Sequence, residues 1–360
     1  MPAKFELIAP CFFGCESTAK FELTRIGAEN IRVDDGRLSF AGGAEMIAAA
    51  NLNLRTVERV MLLLARYRAA TFDDLFDGVY DIPWEELLPA DAAFPVTGSS
   101  LNSQLSSVPA CQSIIKKAVV KRLMAKHHTS VLPETGAEYK IRFMLRKDQC
   151  EIMLDTTGDG LHKRGYRRNA MEHPSARLGG YHCRPWPCAP RQSGGGPLLR
   201  QRHAADRSCS ESHEHCPRLK RRFAAERYGF VPAAIWAEQR QKALAEAKLD
   251  VGFEAFGYDI DPAAVALANA NAKLAGVEKR CHFEVADVAD FAAKQEAIVL
   301  TNPPYGERMS TIEGAAKLAR TLAGRWKHTP VQACMRSLPI WILRPTTASV
   351  PTSAARCTTA

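Results

Sequence analysis

No apolar run in this chain approaches the roughly 20 residues that a membrane-spanning helix needs. The N-terminus also lacks a charged segment leading into a cleavable apolar one. Together these absences predict a cytoplasmic protein with no membrane partner. Eleven cysteines are present, yet no two have Cys-x-x-Cys spacing, so the paired knuckle of structural zinc sites is missing. Acid is in deficit: 39 Asp+Glu stand against 48 Lys+Arg, for a net charge of +9. That balance favours a polyanionic partner. A further absence is a Gly-rich turn between a strand and a helix, the element that lets backbone NH groups approach a nucleotide cofactor. With 360 residues, 46% of them hydrophobic, the chain is long enough for two domains with full cores.

The most informative string is Asn302-Pro303-Pro304-Tyr305, which follows the apolar run Ala297-Ile298-Val299-Leu300. An Asn side-chain oxygen and the carbonyl of the first Pro are two acceptors able to orient a planar exocyclic amino group, leaving its nitrogen lone pair facing an electrophile. Tyr305 supplies a face on which an extruded base stacks.

Upstream, Phe256-Gly257-Tyr258-Asp259-Ile260-Asp261-Pro262 reads as a short strand ending in an acidic pair, followed by a strong helix former, Ala263 to Ala272. A carboxylate at the carboxyl end of a strand in a doubly wound sheet is placed to accept from a ribose diol. Gly276-Val277 reads as a helix stop, Cys281 to Val285 as a strand, and Asp287 falls just past its end. Residues 256–309 therefore resemble the nucleotide-binding core of class I S-adenosylmethionine-dependent methyltransferases that act on amino groups. By that resemblance Asp259 binds the cofactor ribose, Asp261 supports it and Asp287 meets the adenine amino group. Asn302, Pro303, Pro304 and Tyr305 hold the target base.

The first 170 residues narrow the resemblance. Phe5-Glu6-Leu7-Ile8-Ala9-Pro10, Asn51-Leu52-Asn53-Leu54-Arg55-Thr56, Ser99-Ser100-Leu101-Asn102-Ser103 and Gln112 to Ala118 resemble the THUMP-containing N-terminal region of RlmL-type ribosomal RNA guanine-N2 methyltransferases. So does Leu161-His162-Lys163-Arg164-Gly165-Tyr166-Arg167. The resemblance implies an α+β N-terminal THUMP-containing module, then an α/β doubly wound, Rossmann-like methyltransferase domain. The module would span 1–160 with a THUMP core at about 44–155, a basic hinge 161–171, and the methyltransferase domain 218–327. It also implies ribosomal RNA as partner, S-adenosylmethionine as cofactor and no metal. On a helix from Gln112 to Lys126, Lys116, Lys117 and Lys121 share a face while Ile114, Ile115, Ala118, Val119 and Leu123 turn inward. With Lys163, Arg164 and Arg167 they are the candidate RNA contacts. A plain solvated face is the competing reading.

Between about 172 and 217 the chain changes to Pro, Arg, Cys, His, Ser and Gly without strand or helix periodicity, just where the cofactor loop belongs. Gly194-Gly195-Gly196 reads as no substitute, with neither a strand before it nor a helix after it. Codons CCC CTT CTG CGG CAG CGG CAC for Pro197 to His203, preceded by GA and read in the neighbouring frame, spell Asp-Pro-Phe-Cys-Gly-Ser-Gly. Residues 328–360 behave alike, with a shifted reading of Ala354 to Thr359 giving Gly-Lys-Met-Tyr-Asn-Gly. Both stretches are therefore expected to be out-of-frame text. A zinc module built from Cys183, Cys188, Cys209 and Cys216 with neighbouring histidines is the alternative. Three functions stay open at this level: RNA guanine-N2 methylation, N6-adenine methylation of DNA, and a non-catalytic RNA-binding remnant. Cys11, Cys15, Cys111, Cys150, Cys281, Trp84 and Trp236 read as packing residues.

Overall fold

The structure is a computed structural model that describes residues 4–163, 193–196, 216, 218–247, 254–290 and 297–299. The chain divides into two compact units, 1–164 with 217–245 and 165–216 with 246–360.

The first unit opens with β1 (Phe5–Pro10), α1 (Glu16–Arg25), β2 (Glu29–Asp34), β3 (Arg37–Gly42), α2 (Ala44–Asn53) and β4 (Met61–Arg68). There follow α3 (Phe72–Tyr80), α4 (Trp84–Leu87), β5 (Val96–Leu101), α5 (Val108–His127), β6 (Ile141–Arg146) and β7 (Gln149–Asp155). All seven strands share one sheet in the order β2-β3-β1-β4-β7-β6-β5. Its pairs are antiparallel except β5 with β6, which are parallel and need α5 as their crossover.

Alternation decides which side chains reach the core. Ile141, Phe143 and Leu145 lie opposite Leu154, Ile152 and Cys150, and all six are buried. Helix α5 buries Cys111, Ile115, Ala118, Val119 and Leu123, and each large apolar side chain so buried contributes roughly 1.5–3 kcal/mol. Ile114 was expected inward and is only half-buried. The helix also starts a turn earlier than Gln112, because Ser107 accepts from the Ala110 NH and Pro109 suits a first turn. Thr71 and Asp74 form a reciprocal capping box at the start of α3. On the opposite face of the sheet, Glu151 bridges Arg37 at 2.5 Å and Arg66 at 2.9 Å. Ile8, Met61 and Met153 cluster together, with Leu63 and Met144 packed against them.

Residues 218–245, assigned from sequence to the methyltransferase domain, pack on this first unit and include α6 (Ala233–Ala245). Arg218 and Arg221, both buried, donate there to main-chain carbonyls of residues 51–54 and 159–163.

The second unit holds β8 (Ser193–Gly196), β9 (Ala255–Asp259), α7 (Pro262–Ala275), β10 (Cys281–Val285) and β11 (Ala297–Val299). The strand order is β10-β9-β8-β11, and every pair is parallel. Ser193–Gly196 is thus itself a strand, within a stretch whose composition shows no strand periodicity. Glycine weakens a strand through entropy and absent packing. Here the backbone pairs with β9 on one side and β11 on the other, which supplies the ladder that composition did not announce. Helix α7 turns Val265, Ala268 and Ala272 to a core shared with Ala255, Cys281 and Phe283. Gly276 ends it at φ +75°, a left-handed conformation that suits glycine.

Candidate cofactor crevice and nucleic-acid surface

Parallel pairing puts every carboxyl end of the second sheet on one edge. Its order reverses direction between β8 and β11, since β9 and β10 build outward on one side of β8 and β11 joins the other. Such a switch point is where open α/β sheets hold ligands. Asp259 is the last residue of β9, and its register partner is Val285, the last of β10. Its residue is 7% exposed, and one carboxylate oxygen accepts from the Asp261 NH at 3.0 Å. Asp261 caps α7, accepting from the Ala263 NH at 2.9 Å, with Pro262 in the first helical turn. Asp287 lies two residues past β10 and accepts from the Ala289 NH at 2.8 Å. The three aspartates fall as the sequence anticipates, at the carboxyl ends of two adjacent strands. A buried carboxylate with one oxygen already orienting the next turn suits a diol that offers two OH donors.

Strand β11 ends at Val299 on that same edge. Asn302, Pro303, Pro304 and Tyr305 lie outside the described residues, as do Arg164 and Arg167 and all the zinc candidates except Cys216.

The lysine face of α5 divides. Lys116 pairs with Glu134 at 2.9 Å and lies over the Phe94 ring at 5.4 Å. Lys117 is exposed and has no ion-pair partner among the described residues, while Lys121, also exposed, lies over the Phe76 ring at 5.4 Å. Lys163 meets Asp159 at 3.2 Å. Arg122 shares the helix but turns away to grip Glu85 through two nitrogens, at 2.7 and 2.9 Å. The Arg122 hydrogen bond brings the Glu85 carboxyl down to about 2.

The remaining packing residues behave largely as read. Trp84 and Trp236 are buried. Cys111, Cys150 and Cys281 are buried too, whereas Cys11 and Cys15 are half-buried. Burial pushes the Cys11 and Cys150 thiols up to about 12, which keeps both protonated and unreactive near neutrality. One feature escaped sequence reading: the buried set Asn51, Thr156 and Thr157. Asn51 donates to Thr156 Oγ1 at 2.9 Å and accepts from Thr157 Oγ1 at 2.6 Å, tying α2 to the exit of β7. The string Asn51 to Thr56 carried the resemblance, but its polar partners lie about a hundred residues away.

Residues 6–61 match the model of the RlmL ferredoxin-like domain, 69–155 that of the THUMP domain, and 208–335 that of the RMKL-like methyltransferase domain. The first match covers most of β1 to β4, including α2, which the sequence reading placed in the THUMP core. Over 310 residues the chain is 35% identical to a Bacillus subtilis (strain 168) protein named "Putative RNA methyltransferase YpsC", covering 85% of this chain and 80% of that one. A solved structure of a "predicted N6-adenine-specific DNA methylase" from Listeria monocytogenes str. 4b F2365 is 34% identical, with a TM-score of 0.86 over 92% of this chain and 88% of its own. SMU.472, described as "a putative methyltransferase complexed with SAH", is 31% identical with a TM-score of 0.86, covering 93% and 90%.

Proposed function

Because this chain belongs to the family of THUMP-containing, RMKL-like RNA methyltransferases, we propose that it transfers a methyl group from S-adenosylmethionine to the N2 amino group of a guanine in large-subunit ribosomal RNA. The observation that carries the reading is the edge shared by Asp259, Asp287 and the end of β11, three residues before Asn302. When bound, S-adenosylmethionine supplies an electrophilic methyl on a sulfonium centre. Asp259 accepts from the ribose hydroxyls, Asp261 holds Asp259 in place through its NH, and Asp287 accepts from the adenine amino group. Asn302 and Pro303 accept from the guanine amino NH groups, and Tyr305 stacks the extruded base. The amino nitrogen would form its bond to the methyl carbon as the carbon–sulfur bond breaks, the electron pair leaving on the sulfur of S-adenosylhomocysteine and the surplus amine proton passing to solvent, so positioning would carry the rate with no covalent enzyme intermediate.

Lys117 and Lys121, with Lys116, Lys163, Arg164 and Arg167, track the RNA backbone. Two considerations favour RNA over DNA: the THUMP match at 69–155 and the name of the Bacillus relative. The test is methylation of ribosomal RNA and of duplex DNA with labelled cofactor, followed by nucleoside analysis. N2-methylguanosine is the expected product; N6-methyladenine in DNA, with unlabelled RNA, would overturn the assignment.

A second reading has its own support. The matched segments leave 156–207 uncovered, and that stretch contains no Gly-rich loop after β8, since Pro197 follows Gly196 directly. On this second reading, which we infer from that gap, 172–217 and 328–360 are out-of-frame text and the copy would be a non-catalytic RNA binder; the methyltransferase match nonetheless extends into both stretches, at 208–217 and 328–335. Sequencing the coding DNA decides the frame. Calorimetry with S-adenosylmethionine separates the two readings: the out-of-frame reading predicts no heat of binding, and micromolar binding overturns it.

A further inference from the structure

The first unit is made from two pieces of chain, and the second piece reaches it only after the chain has entered the other unit and contributed β8 there. Helix α2 ends at Asn53, leaving its last carbonyls without intrahelical donors, at the negative end of the helix dipole. Buried Arg218 fills that place. Its guanidinium donates to the carbonyls of Leu52 at 3.3 Å, Asn51 at 3.4 Å and Leu54, and its Nε to the carbonyl of Leu161 at 2.8 Å. Three residues on, Arg221 donates to the carbonyls of Gly160 at 2.8 Å, Lys163 at 2.5 Å and Asp159. Each reads main chain through the five-donor fork that only Arg offers.

The contact continues beyond the two arginines. The Ala225 NH donates to the Thr156 carbonyl at 3.0 Å, and the Tyr228 hydroxyl donates to the Asp155 carbonyl at 2.6 Å. Tyr228 stacks on Tyr139 with centroids 4.4 Å apart, and Phe230 lies 6.0 Å from Phe5. Helix α6 packs on α2. Arg240 closes the segment on itself, donating to the carbonyls of Leu219 and Arg221 and to Glu226.

We propose that residues 218–245 are an intramolecular ligand of the N-terminal module, a two-arginine clasp that completes its fold. A module cut at residue 164 leaves the carbonyls at the end of α2 and in the 159–163 loop without donors, each costing about 1–3 kcal/mol while it stays buried. The clasp stands on packing alone, so it survives or fails independently of the substrate.

Native-state hydrogen exchange on the full chain across a denaturant series tests it. Peptides from 218–240 are expected to open together with those from 149–157 and apart from those of 255–285. Opening of 218–240 with 255–285, or exchange at unfolded-chain rates, overturns the proposal. Arg218→Ala is expected to speed exchange at 51–56 and 158–163 by about tenfold or more, leaving 255–285 unchanged; protection unaltered at 51–56 overturns it as well. Should that variant fail to fold, Arg221→Lys, which keeps the charge but loses the fork, is expected to loosen 158–163 alone, and no change there counts against the clasp.

Discussion

At the level of single residues, Asp261 illustrates why a carboxylate near a ligand edge needs two measurements. It caps α7 through its side chain and orients Asp259 through its NH. Asp261→Ala removes the cap and is expected to cost about 1 kcal/mol of stability, whereas Asp261→Asn retains an acceptor and costs a few tenths. Thermal unfolding separates the two variants. Asp259→Ala is expected to weaken S-adenosylmethionine binding at least tenfold, losing an ionised acceptor worth about 1.5–3 kcal/mol, with little change in unfolding midpoint. Equal loss of stability and affinity would make Asp259 a packing residue. These aspartates were legible in sequence because each ends a short apolar run. Arg218 and Arg221 were not: a guanidinium that reads carbonyls gives no periodic signal, and its partners are more than fifty residues away.

Among the elements, one ion pair spans the join of α3, α4 and α5. Arg122 on α5 grips Glu85 on α4 and also donates to the Tyr80 carbonyl at the end of α3. The folded carboxyl is brought to about 2, below its unfolded value, by the Arg122 hydrogen bond above all. A depressed carboxylate stabilises the fold fully above its unfolded pKa, and that contribution is lost as pH falls from there through about 2. Stability measured between pH 5 and pH 2 is therefore expected to fall less steeply in Glu85→Gln than in the parent. Near neutrality the variant is weaker by about 1 kcal/mol, since the pair is partly exposed. Parallel acid limbs would remove the pair from the account. Helix α5 was legible because its apolar positions recur at helical spacing, though its Ser107 cap was not, and α7 because its alanine-rich composition runs to a glycine stop. Strand β8 was missed because glycines carry no side-chain alternation. The fusion of β4 with β7 into one seven-stranded sheet was hidden too, since antiparallel pairing across some ninety residues is set by nonlocal packing.

Across the whole molecule, the net charge of +9 makes attraction to any polyanion the default, so RNA affinity by itself does not identify a surface. Salt dependence does. Each phosphate neutralised adds about 0.7 to the slope of log K against log salt for a single strand. Neither Lys117 nor Lys121, which rests on an aromatic ring, has an ion-pair partner among the described residues; both are exposed on α5. Lys116 is already committed to Glu134. If this helix tracks the backbone, Lys117→Ala with Lys121→Ala lowers the slope by about 1.4 and weakens binding to all sequences alike. Lys116→Ala leaves the slope close to the parent value, because its ammonium exchanges one anionic partner for another. Titrating labelled ribosomal RNA fragments at several salt concentrations separates these outcomes. A slope unaffected by the double substitution would return the α5 lysines to the status of a solvated surface, and the polyanion would then have to engage a different face of the chain.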